Sequence, residues 1–139
     1  MVSREQNNAT QEKLAGAAMS GDLDAFDEVF SPDVVDHDPA PDQGPGPDGF
    51  KTFFSALRTA FPDLHIEVQH SVEDDDNIAI AYTLTGTHDG DFEGIEPTGK
   101  KIEIRGMQIA RFDDDAKIVE RWGSSDELGI LKQLDAAPD

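Results

Sequence analysis

The chain changes its hydrophobic period near its midpoint, from the spacing of helices to the alternation of strands. In the first half, apolar residues recur every three or four positions, which is the spacing of one buried helix face. They predict a helix over 10–20, a short helix over 22–30 and a long amphipathic helix over 50–61. The residues that carry this pattern are Leu14, Ala17, Ala18, Leu23, Phe26, Val29, Phe30, Phe50, Phe53, Phe54, Leu57 and Phe61. Pro62 ends the third helix, because the residue before a proline is pushed out of the α region.

Beyond Pro62, apolar and polar residues alternate, which is typical of strands with one buried face. The predicted strands are 64–69, 78–85, 101–112 and 118–124. A closing helix runs from Asp126 to Leu134, and the four prolines and two glycines of 39–47 predict a loop. Three helices, four strands joined by turns and a last helix predict an α+β domain. In it, a strongly curved four-stranded antiparallel sheet wraps on the N-terminal helices as a cone around one internal pocket.

The length and residue types restrict the class of protein. A chain of 139 residues is the size of one domain, whose ends, 1–9 and 135–139, we expect to be frayed. The chain has no cysteine, which excludes disulfides, thiolate catalysis and Cys-ligated zinc. The first residues contain no apolar stretch typical of a secretory signal, and no apolar run is long enough to span a membrane. These features predict a cytoplasmic protein.

The charge excludes several partners. With 30 acidic and 11 basic residues, the formal net charge is −19. Phosphate backbones and anionic membrane surfaces would be repelled, so we expect neither nucleic-acid nor membrane binding. Acidic residues spread along the whole chain also suit a protein that stays soluble in high salt, which suggests a halophilic host. A melting temperature that did not rise in molar KCl would exclude that hypothesis.

Several short motifs occur in a fixed order along the chain. They are VDHDP at 35–39, FPD at 61–63, TGTH at 85–88, GIEPTGK at 94–100, KIVERW at 117–122 and LKQL at 131–134. This ordered set resembles the SnoaL-like polyketide cyclases, a branch of the nuclear transport factor 2 superfamily, over about residues 11–134. The resemblance implies a cystatin-like cone that works without a cofactor. The type activity of the family closes a ring by intramolecular aldol condensation, with an Asp at the position matching Asp126 as general acid/base.

Asp126 and His37 are the candidate catalytic residues. An apolar pocket next to Trp122 would raise the pKa of the Asp126 carboxyl, whereas the start of a helix would lower it. The alternative for Asp126 is a helix N-cap, a role that is compatible with catalysis. The resemblance implies that His37 faces the cavity as a donor or orienting group, and the alternative is a surface histidine in a polar loop.

The candidate substrate-binding residues combine polar and aromatic side chains. Gln108 lies on the apolar face of the strand 101–112, where a ligand oxygen or a neighbouring side chain would satisfy its amide. His88 opens a glycine-containing loop, either at the cavity mouth or in solvent. An aromatic lining for a planar ligand would come from Tyr82, Trp122, Phe50, Phe53, Phe54 and Phe92. The alternative for aromatic residues at helical spacing is the core, which we expect for Phe53.

No motif predicts a metal site. The segment 89–100 begins like a calcium loop, but its twelfth residue is Lys100 rather than a bidentate glutamate. The histidine spacing does not fit zinc, and neither a phosphate loop nor a serine nucleophile elbow occurs.

Two hypotheses of function follow. The first is a cofactor-independent cyclase or isomerase that acts on a small, apolar or aromatic carbonyl compound. The alternative is a non-catalytic module of the same fold that binds a small ligand or forms a dimeric scaffold. Met107 and Ile109 project from the outer face of the sheet among charged residues, which is compatible with a homodimer.

Overall fold

The computed structural model describes residues 3–41 and 43–136, which form four α-helices and five strands. In chain order the elements are α1 (Arg4–Ser20), a 3-10 turn (Leu23–Ala25), α2 (Phe26–Val29), β1 (Phe30–Asp36), α3 (Gly46–Ala60), β2 (His65–Glu73), β3 (Asn77–Thr87), β4 (Lys101–Phe112), β5 (Ile118–Ser125) and α4 (Glu127–Gln133). The predicted α+β class is therefore confirmed. None of the helices in the described ranges is long and apolar enough to span a membrane.

The sheet has five strands in the order β1-β5-β4-β3-β2. Strands β2 to β5 are antiparallel, as predicted, but β1 pairs with β5 in parallel, so that Asp36 lies beside Arg121. The prediction of four strands was therefore wrong. The sequence of β1 carries Pro32 and three polar residues without regular alternation, which hides the strand. A proline is tolerated there because β1 is an edge strand.

Helix α1 begins at Arg4, earlier than the predicted start at Thr10. The Ser3 hydroxyl accepts a hydrogen bond from the Gln6 amide at 3.2 Å, and the Gln6 side chain accepts one from the Ser3 amide at 3.0 Å. This capping box satisfies two backbone donors and fixes the helix start. Residues 4–9, which we expected to be frayed, are thus part of the capped helix, while residues 1, 2 and 137–139 lie outside the described ranges.

The helices cover the concave face of the sheet, where two apolar clusters form the core. The first joins α1, α2 and β1 to the sheet around Phe26, Val29 and Ile118, which are fully buried. The second joins α3 and α4 to the other part of the sheet. Aromatic contacts link the elements of the first cluster, since the Phe30 and Phe50 rings stack with centroids 4.1 Å apart.

The outer face of the sheet carries apolar residues that no helix covers. Val72, Met107 and Ile109 are exposed there, with 63% of Met107 accessible. In the strand register, Val72 lies beside Ala79, Ala79 beside Ile109, and Ile109 beside Trp122. These residues form a band across the sheet, the outer-face patch, comprising Val72, Ala79, Met107, Ile109 and Trp122.

Candidate functional site

A cavity of about 410 Å³ lies between the helices and the concave face of the sheet. Its walls are mainly apolar, with the aromatic face of α3 on one side and inward residues of β3 and β4 on the other. The residues of these walls include Phe50, Phe53, Phe54, Ile80, Leu84 and Ile104. The cavity therefore suits a molecule with an apolar, planar body.

One ion pair interrupts the apolar wall. Asp36 of β1 and Arg121 of β5 are register partners, and both side chains turn toward the cavity. The Arg121 Nη1 atom lies 3.1 Å from Asp36 Oδ1, and the two side chains are only 19% and 7% exposed. In such surroundings the two charges interact more strongly than they would in water.

Neutral groups complete the bonding of this pair. The Gln43 side chain donates to Asp36 Oδ2 at 3.0 Å, and the Asp38 amide donates to Asp36 Oδ1 at 3.0 Å. The Arg121 Nε atom donates to Gln108 Oε1 at 3.1 Å. The Arg121 Nη2 amine has no acceptor among the described residues, so it remains available to a ligand oxygen. Asp36, Arg121, Gln43 and Gln108 are called the polar cluster below.

Tyr82 supplies a second donor to the cavity. It lies on β3, where its ring occupies the space that a Cβ at Gly106 would need. The pKa of the Tyr82 hydroxyl is raised overall, and burial is the largest cause. The positive charge of Arg121 acts in the opposite direction, and the negative charge of Glu127 adds to the increase. The phenol therefore stays protonated at neutral pH, and it lines the cavity as a hydrogen-bond donor.

Five of the predicted substrate-binding residues line this cavity. They are Gln108, Tyr82, Phe50, Phe54 and Phe92. Phe53, which we expected in the core, also lines it. Gln108 also bonds to a neighbouring side chain, so both alternatives for its amide hold at once.

Asp126 lies outside the cavity lining. It is exposed, and its Oδ1 atom accepts a hydrogen bond from the Gly129 amide at 2.8 Å, as the N-cap of α4. Along β5, the alternate residues Arg121, Gly123 and Ser125 line the cavity, so Asp126 has the opposite parity at the point where the strand ends. The acid/base role of Asp126 stays a prediction, and its position does not favour that role.

The structure places His37 and Trp122 on the outer face of the sheet, which for His37 is the surface alternative rather than the cavity position. Each follows an inward residue, Asp36 or Arg121, so the alternation of the strands turns it to the outer face. The two rings stack with centroids 4.7 Å apart, and His37 Nε2 lies 2.8 Å from Glu120 Oε2. The bond to His37, followed by the one to Arg111, lowers the pKa of the Glu120 carboxyl.

His88 is fully buried, so the expected position at the cavity mouth or in solvent is wrong. Its Nδ1 atom accepts from the Thr98 amide at 3.2 Å and lies 3.0 Å from the Thr98 hydroxyl. The hydrogen bonds of His88 therefore connect the two ends of the loop between β3 and β4. Phe92 and Glu93 of this loop line the cavity in its place.

Sequence reasoning missed Asp36, Gln43 and Arg121. The alternation in β5 held no signal for Arg121, because regular alternation from the buried Ile118 would turn Arg121 outward, and a register shift near Ile118 turns it inward instead. A charged residue in a strand is ordinarily assigned to the solvent face, which is why Arg121 was overlooked. In the ranges 3–41 and 43–136, no three His, Cys, Asp or Glu side chains are grouped so as to hold a metal ion.

The comparisons with known proteins agree with this architecture. The family model of the SnoaL-like polyketide cyclases matches residues 8–134, and the chain belongs to that family. IdmH from Streptomyces antibioticus, described as a candidate polyketide cyclase, is 33% identical, with a TM-score of 0.80 over 94% of this chain and 99% of its own. AclR from Streptomyces galilaeus, described as a candidate hydroxylase, is 29% identical, with a TM-score of 0.83 over 99% and 89%.

A third structure shows the fold alone. TsrD from Streptomyces laurentii is 22% identical, with a TM-score of 0.88 over 98% of this chain and 99% of its own. No curated protein sequence matches this chain at a significant level.

Proposed function

We propose that the cavity binds a neutral, apolar carbonyl compound and catalyses its cofactor-independent cyclisation or isomerisation by acid/base chemistry. The observation that carries this proposal is the Asp36–Arg121 pair, which lies in the wall of an otherwise aromatic and aliphatic cavity. Membership of the cyclase family supports the reaction class.

The donors of the cavity suit a carbonyl oxygen. The Nη2 amine of Arg121 and the hydroxyl of Tyr82 both donate, and both residues line the cavity. When a proton leaves the carbon next to a carbonyl, negative charge develops on the oxygen. Donors that are already in place stabilise that charge without reorganising.

Asp36 is the carboxylate best placed to take the proton. In the proposed step, the C–H proton moves to a carboxylate oxygen of Asp36, and the resulting enolate oxygen bonds to Arg121 and Tyr82. In the cyclisation, the enolate carbon then attacks a second carbonyl carbon of the same molecule, and the alkoxide formed there takes up the proton. In the isomerisation of a β,γ-unsaturated ketone, the enolate is a dienolate, which is reprotonated at its γ carbon. The proton returns from Asp36 to the product, so the enzyme ends as it began.

The charges around the cavity favour a neutral ligand. Arg121 is balanced by Asp36, and three further carboxylates line the cavity, those of Asp38, Glu93 and Glu127. An anionic ligand would meet this negative lining without an unbalanced cation to compensate it. A neutral ketone, aldehyde or ester avoids this repulsion and can still accept hydrogen bonds from Arg121 and Tyr82.

Hydrogen exchange tests the proton transfer without knowledge of the natural substrate. We expect the wild-type protein to accelerate exchange of the α-protons of 2-tetralone in D₂O, followed by proton NMR. Asp36→Asn should lower the protein-dependent rate at least 100-fold, whereas Asp126→Asn should leave it within about twofold. An unchanged rate in Asp36→Asn would exclude Asp36 as the base, and loss of the rate in Asp126→Asn would reinstate the original candidate.

One observation favours the alternative of a non-catalytic binding module. Both carboxylate oxygens of Asp36 already accept hydrogen bonds, from Arg121, Gln43 and the Asp38 amide, which leaves few lone pairs to receive a proton from the ligand. Under this alternative, the same cavity would carry or sense its ligand unchanged. Saturable binding of 2-tetralone with no acceleration of exchange would support it.

We also propose that two copies of the chain pair through the outer-face patch. Met107 lies in this patch, and a charge there would have to be buried without a partner on dimerisation. Met107→Asp is therefore expected to halve the mass that light scattering gives for the wild-type protein at the same concentration. Leu128→Asp, at an exposed apolar residue of α4, is the control and should leave the mass unchanged. A monomeric wild type would contradict the proposal.

A further inference from the structure

We propose that Gln11 forms a second polar subsite of the cavity, which accepts a hydrogen bond from a hydroxyl group of the ligand. This inference rests on the proposed function, since it requires that the cavity bind a ligand. It adds to the carbonyl-binding polar cluster a second point of recognition, and it narrows the substrate class to hydroxylated carbonyl compounds.

An unpartnered oxygen atom marks this subsite. Gln11 lines the cavity from α1, on the same helix face as Leu14, Ala15 and Ala18. Its Oε1 atom is buried and has no hydrogen-bond partner among the described residues. Buried polar side-chain atoms are almost always bonded, because an unpaired acceptor loses its hydration without compensation. The amide oxygen of Gln11 therefore requires a hydrogen-bond donor, which a ligand hydroxyl can supply.

Asn7 carries the other buried amide side chain of α1, and it differs from Gln11 in its hydrogen bonding and in its position relative to the cavity. Asn7, one helical turn earlier, is also buried with an unpartnered Oδ1 atom. Its Nδ2 atom, however, donates to the Asp75 carbonyl oxygen at 3.1 Å, which anchors the helix to the turn between β2 and β3. Asn7 does not line the cavity, so it has a structural role, whereas Gln11 is the amide that a ligand can reach.

The two polar parts of the cavity have opposite hydrogen-bonding character. Arg121 and Tyr82 offer donors, whereas the orphaned atom of Gln11 can only accept. They also belong to different elements, β5 and α1, which line the same cavity. The ligand that satisfies both therefore carries a carbonyl and a separate hydroxyl on one apolar body.

Matched aromatic probes test the subsite. The dissociation constants of 2-acetonaphthone and its 5-, 6- and 7-hydroxy derivatives would be measured by calorimetry for wild type, Gln11→Met and Glu12→Met. Glu12 is the neighbouring exposed residue of α1, which does not line the cavity, so its variant is the matched control. For wild type and the control, at least one hydroxyl derivative should bind about tenfold tighter than the parent ketone.

In Gln11→Met this gain should disappear, while the affinity for 2-acetonaphthone stays within about twofold. The melting temperature of free Gln11→Met should not fall below that of wild type, because the substitution removes an unpaired buried oxygen. If no hydroxyl derivative binds wild type more tightly than 2-acetonaphthone does, the subsite is excluded while the proposed function stands. The same conclusion follows if Gln11→Met keeps the tighter binding of the hydroxyl derivative. If wild type binds none of the probes, the proposed function fails together with the subsite.

Discussion

Replacement of Arg121 with methionine is expected to lower the free energy of unfolding by about 3 kcal/mol, because it leaves the Asp36 carboxylate buried without its counter-charge. This value is at the lower end for a broken buried pair, since 19% of the Arg121 side chain remains exposed. Urea denaturation at pH 7, followed by circular dichroism, measures the loss. The same variant should lose binding of 2-tetralone, since the main donor to the ligand oxygen is gone.

Two further variants separate the charge from the packing. In the double variant Arg121→Met, Asp36→Asn no uncompensated charge is left, so most of the lost stability should return. Arg111→Met removes the outer-face partner of Glu120, where 42% of the Arg111 side chain is exposed, and should change stability by less than about 1 kcal/mol. Equal losses for Arg121→Met and Arg111→Met would show that the polar cluster is no more than another surface ion pair.

Replacement of Phe26 with alanine is expected to lower the free energy of unfolding by about 3–5 kcal/mol. Phe26 is fully buried and makes edge-to-face contacts with Phe30, at 5.8 Å, and with Phe54, at 5.5 Å. Removal of its ring leaves a cavity at the junction of α2, β1 and α3, which these rigid elements cannot fill by collapsing.

The matched control for Phe26 is Leu128→Ala. Leu128 is 48% exposed on α4, so its truncation should cost no more than about 0.5 kcal/mol. Chemical denaturation of both variants under one set of conditions gives the comparison. A loss below about 1 kcal/mol for Phe26→Ala would mean that the core around α2 is loosely packed, contrary to the aromatic contacts described above.

The sequence predicted those elements whose stability comes from one regular apolar face. Strand β4 has the predicted bounds, 101–112, because its inward residues alternate regularly with outward ones, most of which are charged. Helix α3 was predicted from its aromatic spacing, but it begins at Gly46 rather than Phe50, because the residues of its first turn carry no hydrophobic period. Helix α1 was expected to begin too late because its first turns dock through polar groups, such as Asn7, which carry no hydrophobic periodicity.

The parts of the site that were missed depend on contacts between distant segments. Strand β1 has no clear alternation of its own, and only its pairing with β5 defines it. The inward direction of Asp36 and Arg121 follows from that pairing, and so does the outward direction of His37 and Trp122. Local pattern assigns charged residues to solvent and aromatic residues to the interior, and here both assignments are reversed.

The parallel pairing of β1 with β5 also bears on how the protein reaches its native state. Asp36 and Arg121 are 85 positions apart, and nearly all of the sheet is made from the chain between them. The entropy of closing so long a loop must be overcome before their interaction contributes any stability, which slows folding. During synthesis, β1 therefore leaves the ribosome long before its partner strand, and the wall of the cavity is completed only with the last strand of the chain.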